Sequence, residues 1–220
     1  MTSGGTPGGR ARPWASWRRA LAALVVPLLL AVSGCAGGRS DAAGGTPPVP
    51  FADCAGLTTP PAGPADIPPA VEPTTRLPEV ALPCFADGPV VDVAAIRGPA
   101  VINFWGSWCE PCRAELPALQ RLADRTEGQL HLIGVNTWDD RGRALAVAED
   151  LELTFASLVD RDRELLLAVE RIGLPLTLFV DDRGEIRRVY EGAVDDVTLA
   201  ELVEREFGLT VTPVTPVTSP

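Results

Sequence analysis

The sequence predicts an α/β domain in which a central mixed sheet is flanked by helices and preceded by an N-terminal β-hairpin. Three observations carry that expectation. Short apolar, β-branched runs at residues 101–105, 130–135 and 155–159 have the composition of strands covered on both faces. Segments of helical period lie between them, the order that builds a parallel sheet. Two more strand-like runs, 176–180 and 186–191, flank Asp181-Asp182-Arg183-Gly184, a turn that brings the chain back antiparallel, with 186–191 as the edge strand of the sheet. A chain of 220 residues accommodates one such domain with appendages.

The first appendage is residues 1–34, with four arginines (Arg10, Arg12, Arg18, Arg19) and no acidic residue. The basic pair Arg18-Arg19 precedes an apolar run over 20–32. As a helix that run reaches only about 20 Å, short of the roughly 30 Å hydrocarbon core, so it reads as the core of a signal peptide. Val32-Ser33-Gly34-Cys35 resembles a bacterial lipobox. A cysteine placed directly after a small-residue cleavage site is expected to be lipidated, which makes Cys35 the first mature residue and supplies the acyl chains that hold a protein on a membrane. The net charge is −10; without residues 1–34 it becomes −14, with 15 basic groups against 29 acidic ones. All 19 basic residues are arginine. Such a balance argues against nucleic-acid or anionic-membrane binding.

Residues 35–75 are rich in Gly, Pro, Ala and Thr and are expected to form a linker, reaching about 35 Å as a coil and about 120 Å in polyproline form. Cys54 interrupts it. An oxidising, exported setting favours a bridge to Cys84, which would tie the end of the linker to a domain over 76–208. Two free thiols or a second redox pair are the alternatives; neither cysteine stands at a recognisable helix start, so a structural disulfide is favoured. Residues 79–85 read as an edge strand that tolerates Pro83, Asp87-Gly88-Pro89 as a turn, 90–93 as the returning strand, and 94–98 as a helical turn.

The chemistry lies in Asn103-Phe104-Trp105-Gly106-Ser107-Trp108-Cys109-Glu110-Pro111-Cys112-Arg113-Ala114-Glu115. Gly106 and Ser107 break the strand, and Cys112, Leu116 and Leu119 then recur at helical spacing. The helix is expected over 110–126, with Pro117 inside it. The Cys-x-x-Cys therefore sits on the first helical turn, where free backbone N–H groups and the positive end of the helix dipole favour thiolate over thiol. Cys109, the outer cysteine, is the expected nucleophile, and Cys112 is placed to resolve a mixed disulfide. A zinc site would need four ligands, which Cys35, Cys54, Cys84 and the single histidine, His131, do not supply as a second pair. Haem attachment would need a histidine where Arg113 stands. Neither metal nor cofactor is expected.

These residues resemble the active site of the TlpA/ResA-type thioredoxin-like proteins, which are membrane-tethered, extracytoplasmic thiol:disulfide oxidoreductases. The likeness spans about residues 77–207 and implies a thioredoxin-like fold. It also implies that Glu115, three residues beyond Cys112, helps proton transfer at the cysteine pair; read without the family, a glutamate there is as readily a solvated surface residue. Asn103 stands where thioredoxin itself keeps a buried aspartate. An amide cannot titrate, so proton handling passes to another group, with Glu115 the nearest candidate.

Beyond the helix, the strand over 130–135 runs into Asn136-Thr137-Trp138-Asp139-Asp140 at the carboxyl end of the sheet, where open α/β folds place their sites. Trp138 is open to two readings, a wall of the active surface or a structural aromatic. Helices are expected over 141–151 and 161–172, the second capped by Asp160. In the Gly173-Leu174-Pro175 run the resemblance implies a cis-proline facing the cysteines, with Trp108, Leu174 and Pro175 contacting substrate polypeptide. A helix over 197–207 closes the domain, and 209–220 reads as a disordered tail.

Two kinds of function follow. The first is a lipid-anchored thiol:disulfide oxidoreductase on the outer face of the bacterial cytoplasmic membrane. Its clients would be exported proteins with disulfides, such as apocytochrome c, and its reducing power would come from a membrane thiol donor. The same chemistry run backwards gives a thiol oxidase. The second is a lipoprotein that keeps the fold and binds a peptide or copper without catalysis.

Overall fold

Residues 49–64, 66–71 and 74–214 are described in this computed structural model. The expected signal peptide and Cys35 lie outside them. In chain order the elements are β1 (Thr75–Arg76), β2 (Ala81–Pro83), β3 (Val90–Asp92), a 3₁₀ turn (Val93–Ala95), β4 (Ala100–Trp105), α1 (Glu110–Arg125), β5 (His131–Thr137), α2 (Arg141–Asp150), β6 (Ala156–Asp160), α3 (Glu164–Ala168), β7 (Leu176–Val180), β8 (Glu185–Glu191) and α4 (Asp196–Phe207). The main sheet has the order β1-β8-β7-β4-β5-β6. β4, β5 and β6 run parallel, whereas β7 is antiparallel to β4 and β8 to β7.

Alternation along β4 divides the core. Val101 and Trp105 face the layer formed by Leu116 and Leu119 of α1, Ala144 of α2 and Phe207 of α4. Ala100, Ile102 and Phe104 face the other layer, where the β2–β3 hairpin and α3 contribute Leu82, Val91, Leu165 and Leu166. β4 is buried throughout, as its unbroken apolar run requires. Local chemistry sets the helix ends. Asp140 caps α2 by accepting from the Arg143 N–H, Asp195 caps α4 by accepting from the Thr198 N–H, and Gly208 ends α4 at φ 69°. α1 and α4 are joined by a bidentate pair, Arg121 to Asp196 at 2.6 and 3.0 Å.

Four expectations need correction. The linker does not extend to residue 75: Phe51, Cys54 and Leu57 are buried, the Ala52 N–H donates to the Thr154 carbonyl at 2.8 Å, and the His131 Nε2 lies 2.9 Å from the Thr59 carbonyl oxygen. Phe51 packs on Phe85, Trp105 and Phe155, with ring centroids 4.8, 6.3 and 6.5 Å away. A few apolar anchors in a Pro/Gly-rich stretch produce no period, so composition conceals this docking. Cys54 and Cys84 are disulfide-bonded there.

The helix expected over 161–172 contracts to the five residues of α3. Asp160 does act at its start, but by accepting from the N–H groups of Leu165 and Leu166, which leaves a preceding turn with Arg163 at φ 61°. Glu170 at φ 57° stops the helix early, and Ile172 is 86% exposed rather than on an apolar face. β8 is not the outermost strand, because β1 pairs beyond it. The start of the supposed tail is docked: Leu209 and Val211 pack on the core, and Arg125 Nη1 donates to the Thr212 carbonyl at 2.9 Å.

Candidate active site

β4 delivers the chain to the carboxyl end of the sheet, and the loop 106–109 turns it into α1. Asp139, in the loop after the adjacent parallel strand β5, holds that turn. Its carboxylate accepts from the Ser107 N–H and Oγ, both at 2.6 Å, from Asn136 Nδ2 at 2.9 Å and from the Asp140 N–H at 2.8 Å. Sequence reasoning assigned Asp139 no part. The signal available was its place: a carboxylate just past β5 faces the loop that follows β4, because the two strands are neighbours and parallel.

Cys109 is the N-cap of α1. Its Sγ accepts from the Cys112 N–H at 3.3 Å, and its carbonyl accepts from the Arg113 N–H at 3.1 Å. Pro111 stands in the first turn, where the missing N–H costs no hydrogen bond. Cys109 and Cys112 form a disulfide, with Cys109 the more accessible at 6% and Cys112 fully buried. Once the bridge opens, Cys109 sulfur occupies the position in which a helix start favours negative charge. Pro117 leaves α1 continuous.

Glu115 is buried, not solvated. Asn103 Nδ2 donates to its Oε1 and the Val194 N–H donates to its Oε2, each at 2.8 Å. Burial disfavours the charged carboxylate more than these two donors favour it, and the pKa rises from 4.5 to about 7. Glu115 and Cys112 share the inner face of α1. Thr177 and Val194, unremarked in the sequence, complete the surroundings: Asn103 Nδ2 also donates to Thr177 Oγ1 at 3.1 Å.

The Leu174–Pro175 peptide is cis. Phe104 pairs with Leu176, so Pro175 lies beside Trp105 at the same sheet end as the cysteines. The loop after β8 serves both groups, since the Gly192 N–H donates to the Pro175 carbonyl at 3.1 Å while Val194 reaches Glu115. Leu174 and Pro175 line one cleft with Gly192. Trp108 lines another, with Trp138, Asp140, Arg143 and Arg161. Trp108 and Trp138 are 50% and 59% exposed, meet edge to face at 5.7 Å, and are tied by the Trp108 Nε1–H donating to the Trp138 carbonyl at 3.0 Å. Trp138 therefore belongs to the rim. Gly106 permits this fold-back, as a Cβ there would lie 2.7 Å from the Trp108 indole nitrogen. Cys54 and Cys84 stand apart from this rim, against β6 through contacts to Ser157 and Leu158. Among the described residues no group of three His, Cys, Asp or Glu is placed to hold a metal ion.

The sequence profile of the AhpC/TSA family matches residues 73–190, more than half of the chain. The chain belongs to the AhpC/TSA family. It resembles the thiol:disulfide interchange protein DsbE of Pseudomonas fluorescens biotype C, at 34% identity over 118 residues, covering 53% of this chain and 65% of that protein. It also resembles the thiol-disulfide oxidoreductase ResA of Geobacillus kaustophilus, at 33% identity over 100 residues, covering 44% and 58%. The chain thus spans less than two-thirds of the length of these curated relatives. Among solved structures it is similar to a secreted disulfide oxidoreductase of Mycobacterium tuberculosis, at 24% identity and a TM-score of 0.51, covering 60% of this chain and 96% of that one. A thio-disulfide isomerase from Thermus thermophilus is 29% identical with a TM-score of 0.50, covering 60% and 95%. The fold of this AhpC/TSA member is thioredoxin-like.

Proposed function

We propose that this protein is a lipid-anchored thiol:disulfide oxidoreductase on the extracytoplasmic face of the membrane, which reduces disulfides in exported clients such as apocytochrome c. The observation that carries the reading is Cys109 as the N-cap of α1, with its sulfur on the Cys112 N–H and Cys112 buried one turn further in. In the reduced protein, the Cys109 thiolate attacks one sulfur of a client disulfide. A mixed disulfide forms and the other client sulfur leaves as a thiolate, which takes up a proton. Cys112, deprotonated, then attacks Cys109 Sγ, releasing the second client sulfur and leaving the Cys109–Cys112 disulfide. Two electrons have passed to the client, and a membrane thiol donor returns them. Glu115, with a pKa of about 7, both accepts and gives up a proton near neutral pH, which suits it to take the Cys112 proton. Trp108, Leu174 and Pro175 hold the client strand beside Cys109.

Insulin-disulfide reduction by the wild-type protein and by Cys109→Ser tests this. The variant should lose at least about a thousandfold of the rate, because a hydroxyl is neither acidified nor nucleophilic in this position; full activity in the variant would remove the catalytic reading. Direction rests on the reduction potential: a value near about −270 mV supports reduction, and one near about −120 mV makes the protein an oxidant.

A further inference from the structure

The cleft lined by Trp108 and Trp138 has a volume of about 660 Å³ and begins one residue from Cys109. Its indoles are fixed. The Trp138 backbone stands at φ 49°, a left-handed conformation that a bulky residue keeps only where its surroundings hold it, and here its N–H donates to the Asp160 carbonyl at 3.0 Å. The Arg163 guanidinium lies over the Trp138 ring, 5.0 Å from its centroid, and Arg163 is itself left-handed at φ 61°. Two residues in the left-handed region thus meet in one stacked pair, and the indole they present stays exposed.

The charged groups around these indoles are not equivalent. Arg143, in the first turn of α2, and Arg161, in the turn after β6, both line the cleft. Among the described residues neither guanidinium, nor that of Arg163, takes part in an ion pair. Two of the neighbouring carboxylates are committed to the loops that carry them: Asp139 accepts from Ser107, Asn136 and the Asp140 N–H, and Asp140 caps α2 through the Arg143 N–H. Asp162 is the acid that remains, against three arginines. This local balance opposes the net charge of the chain, −10 in full and −14 without residues 1–34.

We infer that this cleft is a docking subsite for the client segment flanking the reacting cysteine, and that it selects segments carrying carboxylates. A client strand that reaches Cys109 passes the exposed Trp108, and the residues beyond its own cysteine then enter the cleft. There the indoles cover apolar and backbone surface, while Arg143 and Arg161 pair with Asp or Glu side chains of the client. Trp138, Arg143 and Arg161 are therefore specificity-determining residues, and Arg163 positions Trp138. The subsite serves the exchange reaction proposed for Cys109 and rests on that reading. The field of a chain with this net charge favours a basic segment, so a preference for an acidic one has to come from the cleft.

The experiment is an NMR titration of the oxidised full chain in detergent, with ¹⁵N-labelled tryptophan. Trp108→Phe and Trp138→Phe assign the two indole signals. The probes are cysteine-free peptides with one Ala-Phe-Ala core, flanked on both sides by Glu, by Gln or by Lys pairs. Both indoles should shift on millimolar addition of the Glu peptide, which should bind about tenfold more tightly than the Lys peptide, as expected for a few exposed ion pairs. The double variant Arg143→Gln, Arg161→Gln should bring that ratio to one or below, and high salt should shrink it in the wild type. A Lys peptide that binds as tightly as the Glu peptide, indoles that no peptide shifts, or a Glu preference that survives the double variant or high salt overturns the inference. Should the double variant fail to fold, the wild-type order and its salt dependence decide alone. The peptides lack cysteine and the Cys109–Cys112 disulfide is closed, so a failure here leaves insulin reduction through Cys109 standing, and a failure of insulin reduction leaves this titration unchanged.

Discussion

Replacing Glu115 with glutamine keeps the side-chain shape and removes the charge, which allows the cost of a carboxylate at this place to be measured as a function of pH. In the folded protein the acid titrates at about 7 instead of 4.5, with burial the largest cause and the donors Asn103 and Val194 opposing it. Between those two values the native state holds a proton that the unfolded chain has released, so stability falls as pH rises through this window. At about 1.4 kcal/mol per pH unit, the full effect is about 3 kcal/mol. It is absent below pH 4.5 and complete above pH 7. Urea unfolding of the oxidised wild type and Glu115→Gln, from pH 4 to pH 9, reads it directly. The two should be nearly equal at pH 4, and glutamine should be more stable by about 3 kcal/mol at pH 8. Taking the difference between the two proteins cancels every other titrating group. A stability difference that stays flat across pH 4.5–7 would refute the account of Glu115 as a strained buried acid.

Other outcomes follow from the same geometry. Cys112→Ser should accumulate a covalent mixed disulfide between Cys109 and a client peptide, visible by mass spectrometry, because the resolving sulfur is gone. Asp139→Ala leaves the Ser107 N–H and Oγ without their acceptor, and should cost about 2 kcal/mol in urea unfolding while slowing insulin reduction about tenfold. Phe51→Ala should cost about 3 kcal/mol, an effect that a residue in a free linker would not produce. Replacing both Cys54 and Cys84 with serine should cost roughly 3 to 4 kcal/mol for a loop of 30 residues, and should open residues 49–64 to limited proteolysis.

Much of this protein is legible from local pattern. The strand at residues 101–105 announces itself because both faces are buried, so no polar residue interrupts the apolar run except Asn103. The redox pair announces itself because helix-start chemistry is local: a sulfur at the N-cap needs only the next few backbone groups to be acidified. The bridge between Cys54 and Cys84, 30 residues apart, was favoured over two free thiols or a second redox pair by the oxidising setting of an exported chain, and the structure forms it. Local pattern failed where one hydrogen bond or one anchor outweighs periodicity. The run at 161–172 has helical spacing, but Asp160 reaches past the first turn to Leu165 and Leu166 and displaces the helix start. Residues 49–64 have no period at all, yet Phe51 and the Cys54 bridge dock them.

By itself, then, the sequence determined the strands of the α/β core, the cysteine pair and its place at the start of a helix, since each depends on neighbours within a few residues; the order of the strands across the sheet, with β1 beyond β8, was decided by long-range pairing. Only the tertiary structure decided the state of Glu115. Its helical position is the same whether it faces solvent or core, and what raises its pKa is the absence of water together with donors from β4 and from the loop before α4, 12 and 79 residues distant. Desolvation is a property of everything packed around a group, and no spacing along the chain encodes it.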